Sequence, residues 1–246
     1  MYTNVTTYQL AKHVFLCIHG SDAVFLDVRE DKYLSMDAAK VRNVLALPAG
    51  PTQISEGSCA GGTLSPGEVA TERSAQVLLR RGLLTIDRSQ GKGVEFARVD
   101  EPQTDLIGVA LPVDAQVRVV DVLRFLSATV LGWTALRFGS LERIVERANA
   151  RRNRHPVGAI TLNLEHAKTC ISRFERMRPF LFSARDACLF ESLVLTNFLA
   201  KYGLYPVWVF AVRTEPFAAH CWLQWDRVVF NDHAEHASEF TPIMVI

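Results

Sequence analysis

The sequence predicts an α+β protein of two units, a small strand-rich one at the N-terminus and a larger one in which helices precede strands. Three observations point there. Short β-rich runs separated by polar turns fill residues 14–36 and give way to two helical stretches before residue 88. Apolar residues recur at helical spacing between residues 117 and 177. From Cys188 onward an apolar helical repeat is followed by two alternating, strand-like runs. Between the two units, residues 89–105 combine Gln90-Gly-Lys-Gly with mixed charge around Pro102 and read as a linker, so the expected domains are 1–88 and 106–246.

In the first unit, Val14-Phe-Leu-Cys-Ile, Ala23-Val-Phe-Leu-Asp-Val and Lys32-Tyr-Leu-Ser-Met are the expected strands, with Arg29-Glu-Asp as a polar turn. Asp37 then caps a helix from Ala38 that stops before Pro48. Residues 49–64 are rich in Gly, Ser and Pro and read as loop. Ser65-Pro-Gly-Glu offers a cap, a proline at the first helical position and an acid in the first turn. That helix runs to Arg80-Arg81 and ends at Gly82, and Leu83-Leu-Thr-Ile closes the unit as a strand. Three strands, two helices and a terminal β-element suggest a winged-helix-like module.

Composition narrows the classes of function. An apolar fraction of 49% and a charged fraction of 22% describe an ordinary globular protein. A net charge of +1 gives no electrostatic reason to expect nucleic acid. The run of arginines from Arg147 to Arg154 reads as a solvated helix end. The N-terminus shows no basic stretch leading into an apolar one, so a secretory signal is not expected. The apolar stretch 125–136 lies between Arg124 and Arg137, too short to span a bilayer, and reads as a buried helix. Five irregularly spaced cysteines favour reduced thiols. A cytoplasmic protein without membrane insertion is the expectation.

In the second unit, apolar residues at helical spacing are expected to make helix from residue 117 to 148, with a second helix over 141–150 and another over 161–177. Cys188 then stands where a polar stretch runs into a helix with Leu189, Leu193 and Val194 on one face. His220 lies in the alternating run Phe217-Ala-Ala-His-Cys-Trp, and Asp232 ends Val228-Val-Phe-Asn-Asp. A cysteine opening a helix, a histidine in one strand and an acid ending the next is the order of a papain- or transglutaminase-like centre. A thiol of ordinary pKa is mostly protonated at neutral pH, and a helix N-terminus or a neighbouring imidazolium lowers that pKa. Cys188 is placed for the first aid, His220 for the second, and Asp232 would hold the imidazole in its productive tautomer. The Cys188 backbone N–H is also a candidate oxyanion donor.

Each residue singly has a plainer role: cysteines before helices pack, aspartates at strand ends make turns, and histidines among aromatics sit in cores. It is the ordered combination that points to chemistry. A zinc site is the competing reading, since His220, Cys221, Asp232, His233 and His236 crowd together and Cys188 could complete a set. Adjacent strand residues point to opposite faces, so His220 and Cys221 cannot both serve one metal without distortion, and no metal is expected. Cys17, Cys59, Cys170 and Cys221 read as packing residues.

Residues 180–243 resemble the leader peptidase of lasso-peptide biosynthesis, a transglutaminase-like cysteine protease. The resemblance rests on Cys188-Leu189, Ser192-Leu-Val-Leu, Tyr202-Gly-Leu-Tyr-Pro-Val, Val212-Arg213, Pro216-Phe-Ala-Ala-His-Cys-Trp, Val229-Phe-Asn-Asp and Phe240-Thr-Pro-Ile. It implies Cys188 as nucleophile, His220 as base and Asp232 as orienting acid. Glu191 stands where that family often has a basic residue, and Cys221 where it often has a small one. An acid three residues from the thiol is placed to oppose a lowered pKa.

Residues 14–87 resemble the small precursor-recognition domain related to the pyrroloquinoline-quinone peptide chaperone, through Phe25-Leu-Asp-Val, Lys32-Tyr-Leu-Ser-Met-Asp and Leu78-Leu-Arg-Arg-Gly-Leu-Leu. That resemblance implies a leader peptide added as a strand along Tyr33, Leu34, Ser35 and Met36, with Ala75, Leu78 and Leu79 in the opposite wall. Together the two imply a cytoplasmic cysteine peptidase without cofactor. It would cut a lasso precursor peptide at its leader–core junction and hand the core to an ATP-dependent, asparagine-synthetase-like cyclase. A transglutaminase or amidase, or a peptide-delivery protein without catalysis, are the other classes the sequence allows.

Overall fold

A computed structural model describes residues 8–47, 66–108, 116–154, 163–180 and 188–246. The expected loop at 49–64, Ser65 and Cys59 lie outside the described residues. The chain divides into two compact units, Met1–Phe96 and Ala97–Ile246.

In the first unit β1 (Gln9–Ala11) precedes an antiparallel meander of β2 (Val14–His19), β3 (Asp22–Asp27) and β4 (Lys32–Asp37), with β3 in the middle. Gly20, at φ +57°, makes the β2–β3 turn, where a side chain would be strained. Asp37 caps α1 (Ala38–Leu45) by accepting the Lys40 N–H at 3.0 Å, and the helix stops as Ala46 turns left-handed. After α2 (Pro66–Arg80), β5 (Leu84–Thr85) and β6 (Gly91–Lys92) flank β1 in a second antiparallel sheet. Alternate residues Val14 and Leu16 of β2 and Ala23 and Phe25 of β3 join Val41, Ala75 and Leu78 in one core.

The second unit is built on a five-stranded sheet of β7 (Thr104–Asp105), β8 (Val207–Thr214), β9 (Phe217–Trp225), β10 (Val228–Val229) and β11 (Thr241–Val245), in the order β11-β8-β9-β10-β7. All pairings are antiparallel except β7 with β10. The stretch expected as a linker is thus strand near both ends: Gly91–Lys92 pairs with β1, and Thr104–Asp105 with β10. Glycine and mixed charge signal a turn but say nothing about a two-residue edge strand.

The helices are α3 (Val119–Phe138), α4 (Leu141–Asn153), α5 (Leu164–Met177), α6 (Cys188–Ala200) and α7 (Ala234–Ser238). Phe125 of α3, Phe174 of α5 and Phe198 of α6 meet with ring centroids 5.4–6.3 Å apart, a geometry that adds to plain burial. Asp121 is fully buried and ties the bundle together through Tyr202 Oη (2.5 Å), Arg118 Nε (3.3 Å) and Arg173 Nε (3.5 Å). Gly132 lets α3 approach α6, since a Cβ there would stand 2.9 Å from Val194 Cγ2.

Helix α3 departs from expectation. The stretch 125–136 read as too short to span a bilayer and as buried, but the whole helix is long and apolar enough to cross a membrane and is largely exposed. Phe125, Ala128 and Gly132 are covered, whereas Val119, Leu123, Leu126, Val130 and Trp133 face outward. Periodicity reveals that a helix is apolar on most sides, not which sides the fold will cover.

Candidate active site

Cys188 is the first residue of α6, and α6 packs against β9. The contact is fixed by Ser192, one turn beyond the cysteine. Its hydroxyl donates to Cys221 O (3.2 Å) and accepts from Asn231 Nδ2 (3.0 Å), while Asn231 Oδ1 takes the Leu223 N–H (2.8 Å). Helix, strand and the segment after β10 are therefore pinned at one buried hydroxyl. This sets Cys188 near His220 of β9, close enough for the ring to act on the thiol.

His220 Nε2 lies 2.7 Å from Asp232 Oδ2, which leaves Nδ1 as the nitrogen for Cys188. The ring stacks on Trp222 at 5.8 Å and meets Phe240 at 5.2 Å. Asp232 Oδ2 also receives His236 Nδ1 at 2.8 Å, and Oδ1 accepts the His233 N–H at 2.8 Å. Of the three residues singled out by order alone, His220 thus bonds Asp232 directly and lies near enough to Cys188 for each to shift the other.

The electrostatics follow from these contacts. The Cys221 S–H beside Cys188 is the largest influence on its thiol. With help from His220 and the Cys221 backbone N–H, and against the effect of burial, it lowers that thiol to about 4. Burial would pull His220 down, but its bonds to Asp232 and Cys188 win and push it up to about 9. Burial would raise Asp232, and hydrogen bonds from His220 and His236 hold it below the ordinary carboxylate range. At neutral pH the pair stands as thiolate and imidazolium.

Glu191 is near enough for repulsion, as its position in the sequence suggested: the Cys188 charge helps to raise its pKa, behind the larger effect of burial. It is buried, and its carboxylate meets Arg178 Nη2 at 2.8 Å. Burial raises its pKa, with Arg178 acting the other way, so an acid near the thiol is both discouraged from ionising and paired when it does. Arg178, Ser192, Asn231 and Trp222 are neighbours of the site to which sequence reasoning assigned no role, and His236 entered it only as a member of the competing zinc set. A histidine four residues after Asp232 was the one local signal.

The zinc set does not assemble as a whole. Donor atoms of His220, Asp232 and His236 come within 4.8 Å of one another, close enough for a cation, and are joined by hydrogen bonds. His233 turns instead toward Asp105 (3.6 Å), and Cys221 is buried against Ser192.

In the first unit, β4 ends the β2-β3-β4 sheet, with Tyr33, Leu34 and Met36 half-buried and Ser35 exposed. An open groove of about 470 Å³ lies along its beginning, lined by Asp27, Arg29, Lys32, Tyr33, Leu34 and Arg81 among others. Ala75 and Leu78, expected in the wall of a peptide groove, are fully buried in the core. The resemblance implied a face turned to a peptide, but that face packs into the core of the unit, beside α1 and β5. Leu79 keeps partial exposure.

Residues 128–245 match the family model described as transglutaminase-like superfamily, a span that includes Cys188, His220 and Asp232. No curated protein and no solved structure gives a significant match.

Proposed function

We propose that this chain, whose C-terminal part carries a transglutaminase-like domain, is the leader peptidase of a lasso-peptide pathway. On this reading the first unit, a winged-helix-like module, holds the leader of a ribosomally made precursor, and the second cuts the leader–core amide. The observation that carries it is the Cys188–His220–Asp232 arrangement at the mouth of α6.

The Cys188 thiolate attacks the carbonyl carbon of the last leader residue, and the oxyanion forms beside the N-terminus of α6, where the Cys188 N–H is uncommitted to the helix. His220 gives its proton to the departing core amine, leaving a thioester on the leader fragment. Neutral His220 then draws a proton from water, which attacks the thioester and releases a carboxylate and the thiolate. Asp232 holds the ring throughout.

Support for the binding half is geometric: β4 lies at a sheet end beside an open groove, the setting in which a peptide adds as a strand. The outward apolar face of α3 supports a contact with the cyclase that receives the core. The test is mass spectrometry of a lasso precursor incubated with the purified protein. Two fragments from one hydrolysed bond are expected, and none with Cys188→Ala. An amine adduct in their place would assign an acyl transferase, and an unchanged yield with Cys188→Ala would end the catalytic reading.

A further inference from the structure

Sequence pattern marks His236 only as one donor of a competing zinc set, yet in the fold it holds the acid of the site. Asp232 stands just before α7, whose turn brings His236 back over it. His236 Nδ1 lies 2.8 Å from Asp232 Oδ2, the same oxygen that His220 Nε2 meets at 2.7 Å. An ionised carboxylate only accepts, so His236 carries a proton on Nδ1 whatever the state of Nε2. The rings of His236, His220 and Phe240 pack in a triangle with centroids 5.0–5.2 Å apart. The His236 side chain is 47% exposed, whereas Asp232 and His220 keep 14% and 19%, so His236 stands on the solvent side of the pair.

We propose that His236 is a positioning residue: its Nδ1–H fixes the Asp232 carboxylate and, through it, the His220 ring in the orientation that serves Cys188. The inference deepens the catalytic reading above and rests on the roles given there to Cys188, His220 and Asp232.

The Asp232 carboxylate is free to turn about its own Cβ–Cγ bond except where donors hold it. Oδ1 takes the His233 N–H at 2.8 Å, and Oδ2 takes both rings. Without the His236 donor, Oδ2 is held by His220 alone, the very group it has to orient. The neighbouring charged side chains are engaged elsewhere: the His233 ring turns to Asp105 at 3.6 Å, and Arg213 pairs with Glu239. Burial raises the Asp232 pKa, and the bond from His236 joins that from His220 in keeping it ionised.

Space-filling by the ring is the rival explanation, and two substitutions separate them. Asparagine carries Nδ2 as many bonds from the backbone as histidine carries Nδ1, so it keeps a donor without the ring. Phenylalanine keeps a ring without the donor. His236 is half exposed on a five-residue helix, so the fold tolerates either change.

The test is iodoacetamide alkylation of Cys188 in the full chain at pH 5 and pH 8, for wild type, His236→Asn, His236→Phe and His236→Ala. A loosened Asp232 holds the imidazolium less well, so the thiol needs a higher pH to ionise. Wild type and His236→Asn should react nearly as fast at pH 5 as at pH 8. His236→Phe and His236→Ala should lose at least about threefold at pH 5, as the thiolate fraction falls. A flat profile in all four, or His236→Phe matching wild type while His236→Asn matches His236→Ala, assigns His236 to packing and overturns the proposal. A log-linear rise already in the wild-type chain overturns it together with the ion pair. Alkylation needs no peptide, so a chain that shows the expected pattern yet cuts no precursor strikes the peptidase reading and leaves this one standing.

Discussion

The two units present their candidate functional surfaces in opposite ways. At Cys188 a helix end, a strand and the segment after β10 converge, and nearly every polar atom is matched: Ser192 to Cys221 and Asn231, His220 to Asp232, Asp232 to His236 and His233. At β4 the surface is one strand at the end of a sheet beside an open groove. Bond-breaking needs charges held at fixed positions in low dielectric, which only convergence supplies. Holding an extended peptide needs main-chain groups and pockets within reach, which convergence would cover. Changes at the first surface should therefore act nearly all-or-none, and changes at the second should be graded.

The largest effect separates them most sharply. Asp232→Asn keeps the shape but leaves His220 free to adopt the other tautomer, so the cleavage rate should fall by roughly 10⁴-fold, as when the acid of a triad is neutralised. Leader binding, followed by fluorescence anisotropy of a labelled leader peptide, should not move. A rate within a factor of two of wild type would mean that the His220–Asp232 contact of 2.7 Å is packing and not catalysis.

The ion pair makes a second claim, about pH. With Cys188 lowered to about 4 and His220 raised to about 9, the thiolate–imidazolium pair forms as pH rises through the first value and is lost as His220 deprotonates above the second. Iodoacetamide alkylation of Cys188 should then be nearly flat from pH 5 to pH 8. An ordinary thiol gains about tenfold per pH unit over that range, because its thiolate fraction does. A log-linear rise through pH 8 would remove the ion pair.

The graded side is sharpened by Tyr33. A half-buried tyrosine at a peptide-binding edge typically contributes about 1–2 kcal/mol, so Tyr33→Ala should weaken leader binding by about tenfold. It should leave Cys188 alkylation untouched. Slower alkylation with unchanged leader affinity would reverse the assignment of binding to this unit.

The same contrast governs what the sequence revealed. Cys188, His220 and Asp232 were legible because each occupies a place that local pattern marks: a helix start, an alternating strand, a strand end. Their supports were not. Ser192 and Asn231, or Arg178 and Glu191, meet only after the chain has folded back, and no periodicity links them. In the first unit the strands and helices fell close to their expected residues, and β4 was expected as the edge. Whether the face of α2 bearing Ala75 and Leu78 would meet solvent or core was a question of packing, as was the exposure of α3.

Gly132 gives the smallest of these effects and tests whether the site depends on the bundle behind it. It lies where α3 crosses α6, and a methyl group there would stand 2.9 Å from Val194 Cγ2 and 3.4 Å from Phe190 Cε2. Val194 is fully buried, so the clash is relieved by shifting α6 rather than by turning a side chain into solvent. Overpacking of this kind costs about 1–3 kcal/mol, offset in part by the better helix propensity of alanine, so Gly132→Ala should lower stability by about 1 kcal/mol. For a chain of this size that is about 2–4 °C in melting temperature, measured by calorimetry. Because α6 carries Cys188 at its first residue, the flat part of the alkylation profile should narrow in the same variant. A lowered melting temperature with an unchanged profile would show that the Ser192–Asn231–Cys221 bonds hold the helix end in place on their own, independently of the helices packed behind it.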